Sequence, residues 1–242
     1  MRELEKDYYS DSSVSIVSNT FVSNVFLWMF GALAVTALTA YLFASSESLL
    51  SLMVTVKGDG TVGVSVLGWV VMLAPILLVF VMSLGIEKMS ATTMVVLFVV
   101  YSILMGMSLC FFFLAYTSTS IVKTFVITAA MFGIMAVLGY TTKMDLTKIG
   151  SLLIMALIGV IIATLVNVFL HSQTLDYIIS IAGVVIFTGL TAYDVQKIKR
   201  IGEYGLENDE TMVKITVHAA LSLYLDFINL FLYLLRFLGN RK

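Results

Sequence analysis

Seven stretches of the chain are apolar almost without interruption, at residues 21–44, 65–86, 94–116, 121–142, 149–170, 177–199 and 216–238. Each is close to the roughly 20 residues a helix needs to cross a bilayer. The runs do not alternate apolar with polar, as barrel strands do over about 10 residues, so they predict helices and exclude a β-barrel. Connections between them are short. The pattern predicts an all-α membrane protein, a bundle of seven transmembrane helices over residues 21–242. Residues 1–20, with Arg2 and Lys6 against Glu3, Glu5, Asp7 and Asp11, read as a polar N-terminal tail. They show no cleavable signal, and the first span is long enough to stay in the membrane as an anchor.

Composition agrees: 60% of the 242 residues are apolar and 12% are charged. That balance belongs to a membrane protein, for which no nucleic-acid partner is expected. With the N-terminus inside, the inner segments hold nine of the fourteen basic residues (Arg2, Lys6, Lys88, Lys143, Lys148, Lys197, Lys199, Arg200 and Lys214). The outer segments hold five: Lys57, Lys123, Arg236, Arg241 and Lys242. Basic residues are retained on the cytoplasmic side, so the count predicts a cytoplasmic N-terminus, although the basic C-terminal tail pulls the other way. Cys110, alone of its type, predicts a buried thiol with no internal disulfide. Pro75, the one proline, falls inside the second span and is read as a structural kink before a gating hinge.

Charge inside the membrane is rarer and more informative, because it costs at least about 2.5 kcal/mol and needs a partner or a task. Glu47, Asp59, Glu87, Lys88, Lys123, Lys143, Asp145, Lys148 and Asp176 all fall at span ends or in loops. Asp194 and Asp226 do not. Asp226 lies about 15 Å, and Asp194 about 9 Å, from the inner ends of two consecutive antiparallel helices, at 1.5 Å per residue. A facing pair is therefore geometrically plausible. Ser222, Asp226, Asn229 and Tyr233 form a polar stripe at helical spacing on the last span, which should face protein or water. On the sixth span Asp194 shares a face with Phe187, Thr191 and Ile198, and Gly183 and Gly189 would admit a close neighbour.

Two carboxylates about 4 Å apart repel by roughly 4 kcal/mol at an effective dielectric near 20, so such a pair would share one proton. It would act as a proton-operated switch. Ionised, it would offer the hard oxygens that suit calcium, four at most where calcium takes six to eight, with Asn229, Ser222, carbonyls and water supplying the rest.

The run "FTGLTAYDVQKIK" followed by "ALSLYLDFINLFLYLLRFLG" resembles the signature of the Bax inhibitor-1 family of seven-span membrane proteins, in its bacterial branch. The resemblance implies a calcium-permeable leak channel whose passage depends on pH, with Asp194 and Asp226 as the proton-sharing sensor and transient calcium site. It implies no resident cofactor and no enzyme activity; calcium ions, protons and the lipid bilayer are the implied partners, in a bacterial inner membrane. Two features depart from the family pattern. In place of an arginine latch near the second span there is only Lys88, which lacks a bidentate fork. The connection "IGEYGLENDETMVKIT" is longer, with four acids between Glu203 and Glu210, and reads as a solvated loop able to gather cations.

Other functions fit less well. An intramembrane aspartyl protease would need a Gly-rich approach to its second acid, where this chain has the bulky "LYLD". A retinal protein needs a lysine in the last span, and residues 216–238 hold none. A three-histidine zinc site is excluded because His171 and His218 are the only two; His218 reads as a helix-end residue able to modulate a pH response. A proton-coupled cation exchanger and a membrane-embedded regulator acting by protein contacts remain open alternatives, although no inverted repeat argues for a carrier.

Overall fold

The structure, a computed structural model, describes residues 2–56, 62–204 and 209–242. Among these residues are eight helices: α1 (Arg2–Ser45), α2 (Glu47–Met53), α3 (Val66–Gly85), α4 (Ala91–Ala115), α5 (Ser118–Thr141), α6 (Thr147–Leu170), α7 (Gln173–Tyr204) and α8 (Asp209–Leu238). Seven are long and apolar enough to cross a membrane, with Ser18–Ser45 as the crossing part of α1. They match the seven predicted spans within a few residues at most ends. α1 continues back through the polar N-terminal segment as helix.

Three of the crossing helices, α3, α4 and α5, start where hydroxyls cap them. The side chains of Ser65, Ser90 and Thr117 accept from the backbone N–H of Gly68, Thr93 and Ser120, satisfying donors that lipid would leave bare. Hydroxyls within the spans turn inward on their own helices: Ser102, Thr128, Thr164, Thr188 and Thr191 each donate to the carbonyl four residues earlier. A hydroxyl spent in this way carries no polarity into lipid. Helix α6 ends at His171, whose φ of 51° is left-handed.

The chain falls into two units. The first comprises residues 1–23, 117–205 and 222–241. In it α7 packs against both α5 and α6. Contact is closest where glycine removes the side chain: a Cβ on Gly139 would run into the backbone of Ala192, and one on Gly183 would lie 2.5 Å from the Tyr233 ring. Phe125 and Phe132 meet Phe227 edge-on, with ring centroids 5.4 Å apart in each case.

The second unit comprises residues 24–116, 206–221 and 242. Here α3 packs on α4, and Thr36 on α1 donates to the Ser102 carbonyl of α4 at 2.9 Å. Cys110 is buried in a small core with Met53 and Val71. Helix α3 stays continuous through the buried Pro75. Between α1 and α3 lies structure that the apolar runs alone do not predict: α2 and an antiparallel hairpin, β1 (Val54–Val56) with β2 (Val62–Val64), in which Val54 faces Val64 and Thr55 faces Gly63. The alternation in "VTV" and "VGV" on either side of the sequence Gly-Asp-Gly carried the signal. Lys57 and Asp59 lie outside the described residues.

The acidic connection differs from its sequence reading. Glu203 is within α7, and Asp209 and Glu210 form the first turn of α8, where carboxylates complement the positive end of the helix dipole. Helix thus occupies most of what reads as loop. Glu207 lies outside the described residues.

Candidate functional site

Asp194 on α7 and Asp226 on α8 both belong to the first unit, with their carboxyl groups within hydrogen-bonding reach of one another. An ionised carboxylate only accepts, so this contact is a hydrogen bond when a proton lies between the two. Asp226 is 5% exposed, and its Oδ2 has no hydrogen-bond partner among the described residues. Asp194 is less enclosed, and Lys197, exposed on the next turn of α7, is the cation whose field reaches it.

The pair opens into a cavity of about 340 Å³. Its α8 wall is the polar stripe, Ser222, Asp226, Asn229 and Tyr233, with Leu225 among them. Phe187, Leu190 and Asp194 line it from α7. The third wall is Ile154, Leu157 and Ile161 of α6, spaced to share one helical face. The lining residues include no lysine or arginine. Asn229 spends its amide N–H on the Leu225 carbonyl at 2.8 Å, which fixes the side chain against its own helix. The Tyr233 ring stacks on Phe187 at 5.8 Å between centroids, with the Arg236 guanidinium 5.9 Å from the ring centre and paired to Asp176 at 3.2 Å.

Other residues singled out in the sequence fall elsewhere. Thr191 is buried, does not line the cavity, and donates to the Phe187 carbonyl. Gly183 and Gly189 do receive close neighbours, Tyr233 and Leu153. Lys88 is exposed in the turn after α3, its N–H bonded to Gly85, and lies in the second unit, as do Pro75 and the half-buried His218.

Immediately past Asp194 the structure places a network that sequence reasoning missed. Gln196 is buried and bridges the α5–α6 connection, its Oε1 accepting from Leu146 N–H at 2.9 Å and its Nε2 donating to the Met144 carbonyl at 2.7 Å. Lys199 donates to the Tyr140 carbonyl at 3.1 Å and lies over the Tyr140 ring, while Arg200 pairs with Asp145 at 2.9 Å. Hydrogen bonds from Thr147, then from Arg200, pull the exposed Asp145 down to about 2, so this acid stays ionised throughout the neutral range. The sequence signal was the run "DVQKIKR", whose polar residues read only as a basic helix end.

Among the described residues, no group of three or more His, Cys, Asp and Glu side chains gathers to hold a metal. The two carboxyls offer four oxygens, short of the six to eight of a resident calcium site. The arrangement, two carboxyls within hydrogen-bonding reach in a partly apolar cavity, is one that can hold a proton between them.

The family described as inhibitor of apoptosis-promoting Bax1 matches residues 18–242. The chain is 44% identical to the inner membrane protein YbhL of Escherichia coli over 92% of each protein. It is 45% identical to protein RP147 of Rickettsia prowazekii, over 92% of this chain and 90% of that one, and 34% identical to a membrane protein of Streptococcus pyogenes over 96% of each. With seven crossing helices and a match that runs through both acid-bearing helices, the chain belongs to the Bax inhibitor-1 family and is an integral, multi-pass membrane protein.

Proposed function

We propose that this protein is a pH-sensitive leak pathway for calcium, in which Asp194 and Asp226 share a proton that sets whether calcium passes. The observation that carries the reading is the mutual approach of the two carboxyls, one of them almost fully enclosed, in a cavity with no lining cation among the described residues. With one proton between them the pair holds a single negative charge and a hydrogen bond that draws α7 and α8 together. Loss of the proton puts two charges side by side, a repulsion of roughly 4 kcal/mol at 4 Å and an effective dielectric near 20. That is enough to move a two-state equilibrium most of the way from one side to the other. The doubly charged pair is also the form that attracts a divalent ion, with Ser222 and Asn229 beside it as further oxygen donors. Calcium is cargo in this reading, with no resident cofactor and no catalysis. Asp145 is held ionised and so does not titrate in this window.

Calcium entry into liposomes holding the purified protein, measured at several pH values, tests the proposal. Flux that changes with pH and dissipates without counter-transport of protons is the expected result. Stoichiometric proton movement would make the protein an exchanger, and no flux at any pH would leave a regulator acting by protein contacts. The basic-residue count, nine to five, supports a cytoplasmic N-terminus. A reporter fused after Lys242 should then be active only as a periplasmic one in a bacterial host.

A further inference from the structure

The acid pair faces a cavity whose other walls are wrong for an ion in water. Ile154, Leu157 and Ile161 of α6 form one side, and Phe187 and Leu190 extend the apolar surface along α7. Helix α6 is itself the least enclosed of the crossing helices, with 6% of its apolar window buried, so this wall is a lipid-facing helix. At the polar end, Asp226 Oδ2 is buried and has no partner among the described residues, an arrangement that costs free energy until a donor arrives. Of the charged groups nearby, Arg236 is paired with Asp176, and Lys197, whose field reaches Asp194, is exposed on α7 and does not line the cavity.

From this arrangement we propose that the cavity between α6, α7 and α8 binds a small alkylammonium ion, entering from the bilayer past α6, with its ammonium on Asp194 and Asp226 and its chain against the α6 wall. The inference rests on the acid pair acting as a unit, as in the function proposed above, and adds a ligand class to the same site. Charge complementarity selects the ligand. A pair holding one proton carries one negative charge, which a monovalent cation neutralises and a divalent one does not. An ammonium has three N–H donors and no acceptor, matching an unpartnered carboxylate oxygen, its neighbouring carboxyl and the Asn229 or Ser222 oxygen. The apolar walls reward a chain that calcium lacks. At about 340 Å³ the space suits a short-chain amine and is small for a two-chain lipid. Such amines would compete with calcium for the pair.

The test uses the full-length protein in phosphatidylcholine nanodiscs without calcium, with hexylammonium as probe and hexanol as its uncharged counterpart, followed by ligand-detected NMR titration. Hexylammonium should bind about tenfold or more tightly than hexanol, the worth of one charge-assisted contact. Asp226→Asn should remove most of that preference. Leu157→Trp, which fills the cavity from α6 and leaves both carboxyls in place, should abolish binding while circular dichroism stays that of the parent protein. Equal binding of hexanol, or hexylammonium binding unchanged in both variants, would overturn the proposal. Amine binding without calcium flux would retain this inference and remove the channel reading. Flux without amine binding would do the reverse.

Discussion

Helices α6 and α8 both cross the membrane, and they reverse the rule that holds in water. α6 is the more apolar of the two, yet 6% of its apolar window is buried against 67% for α8, which carries Ser222, Asp226, Asn229 and Tyr233. In water the apolar helix would be driven inside. In a bilayer the lipid tails are as apolar as leucine, so burial is no reward for α6, while α8 must hide its polar groups from hydrocarbon. What selects the enclosed helix here is the cost of exposed polarity, and that is why the enclosed helix carries the candidate site.

The comparison breaks most visibly at Asp226. Asp226→Asn keeps the shape and removes one of the two charges, so calcium flux in liposomes should lose its pH dependence between about 6 and 8. Asp194→Asn should do the same, and the double variant should add little, because members of one proton-sharing unit are not independent. A full pH response in both single variants would sink the sensor role and move attention to His218.

Packing provides the next test. Gly139→Val places a side chain against the backbone of Ala192 and should destabilise the protein by about 1–3 kcal/mol. Gly159→Val on α6, where nothing lies within 4 Å of the added group, should change stability by less than about 0.5 kcal/mol. Unfolding in mixed micelles reads both. Equal costs would show that α6 is as tightly packed at Gly159 as α5 is against α7 at Gly139.

An effect of similar size is expected at Gln196, which sits two residues past Asp194. Gln196→Ala leaves the Leu146 N–H and the Met144 carbonyl without their partner, a loss of about 1–3 kcal/mol if no water replaces it. Hydrogen exchange at Leu146 should quicken, and Gln196→Glu, which keeps the acceptor, should protect that amide where alanine does not.

The smallest effect belongs to Asp145. Its carboxyl is held below the ordinary 3.8, at about 2, so its tie to Thr147 and Arg200 is fully present above the ordinary value and is lost only as pH falls toward 2. Asp145→Asn should therefore leave the pH response of flux between about 6 and 8 unchanged. A shifted midpoint would mean that the α5–α6 connection reports to the acid pair.

Much of the site was legible because it rested on scarcity. A carboxylate in the middle of an apolar run has few explanations, so Asp194 and Asp226 stood out without any knowledge of their neighbours, and Ser222, Asn229 and Tyr233 followed from helical spacing. Thr191 failed the same reasoning: a shared face says where a side chain points, and a hydroxyl that bonds its own helix need not reach the cavity. The hairpin after α2 was overlooked because three-residue strands are too short to compete with the search for 20-residue runs. Gln196, Lys199 and Arg200 were visible but unassigned, since their partners lie about 50 residues or more away in the chain.

The sequence by itself determined the seven crossings, their ends and the two acids placed at depth, because continuous apolar runs and the cost of intramembrane charge are local properties of the chain. Only the tertiary structure decided that the carboxyls meet, that the lipid-facing α6 supplies the apolar wall opposite them, and that Asp226 keeps one oxygen without a donor among the described residues. Those outcomes depend on how helices rotate about their axes and where glycines such as Gly139 and Gly183 let them close up. No residue read alone carries that information, since helix rotation is set by the summed packing of neighbouring side chains.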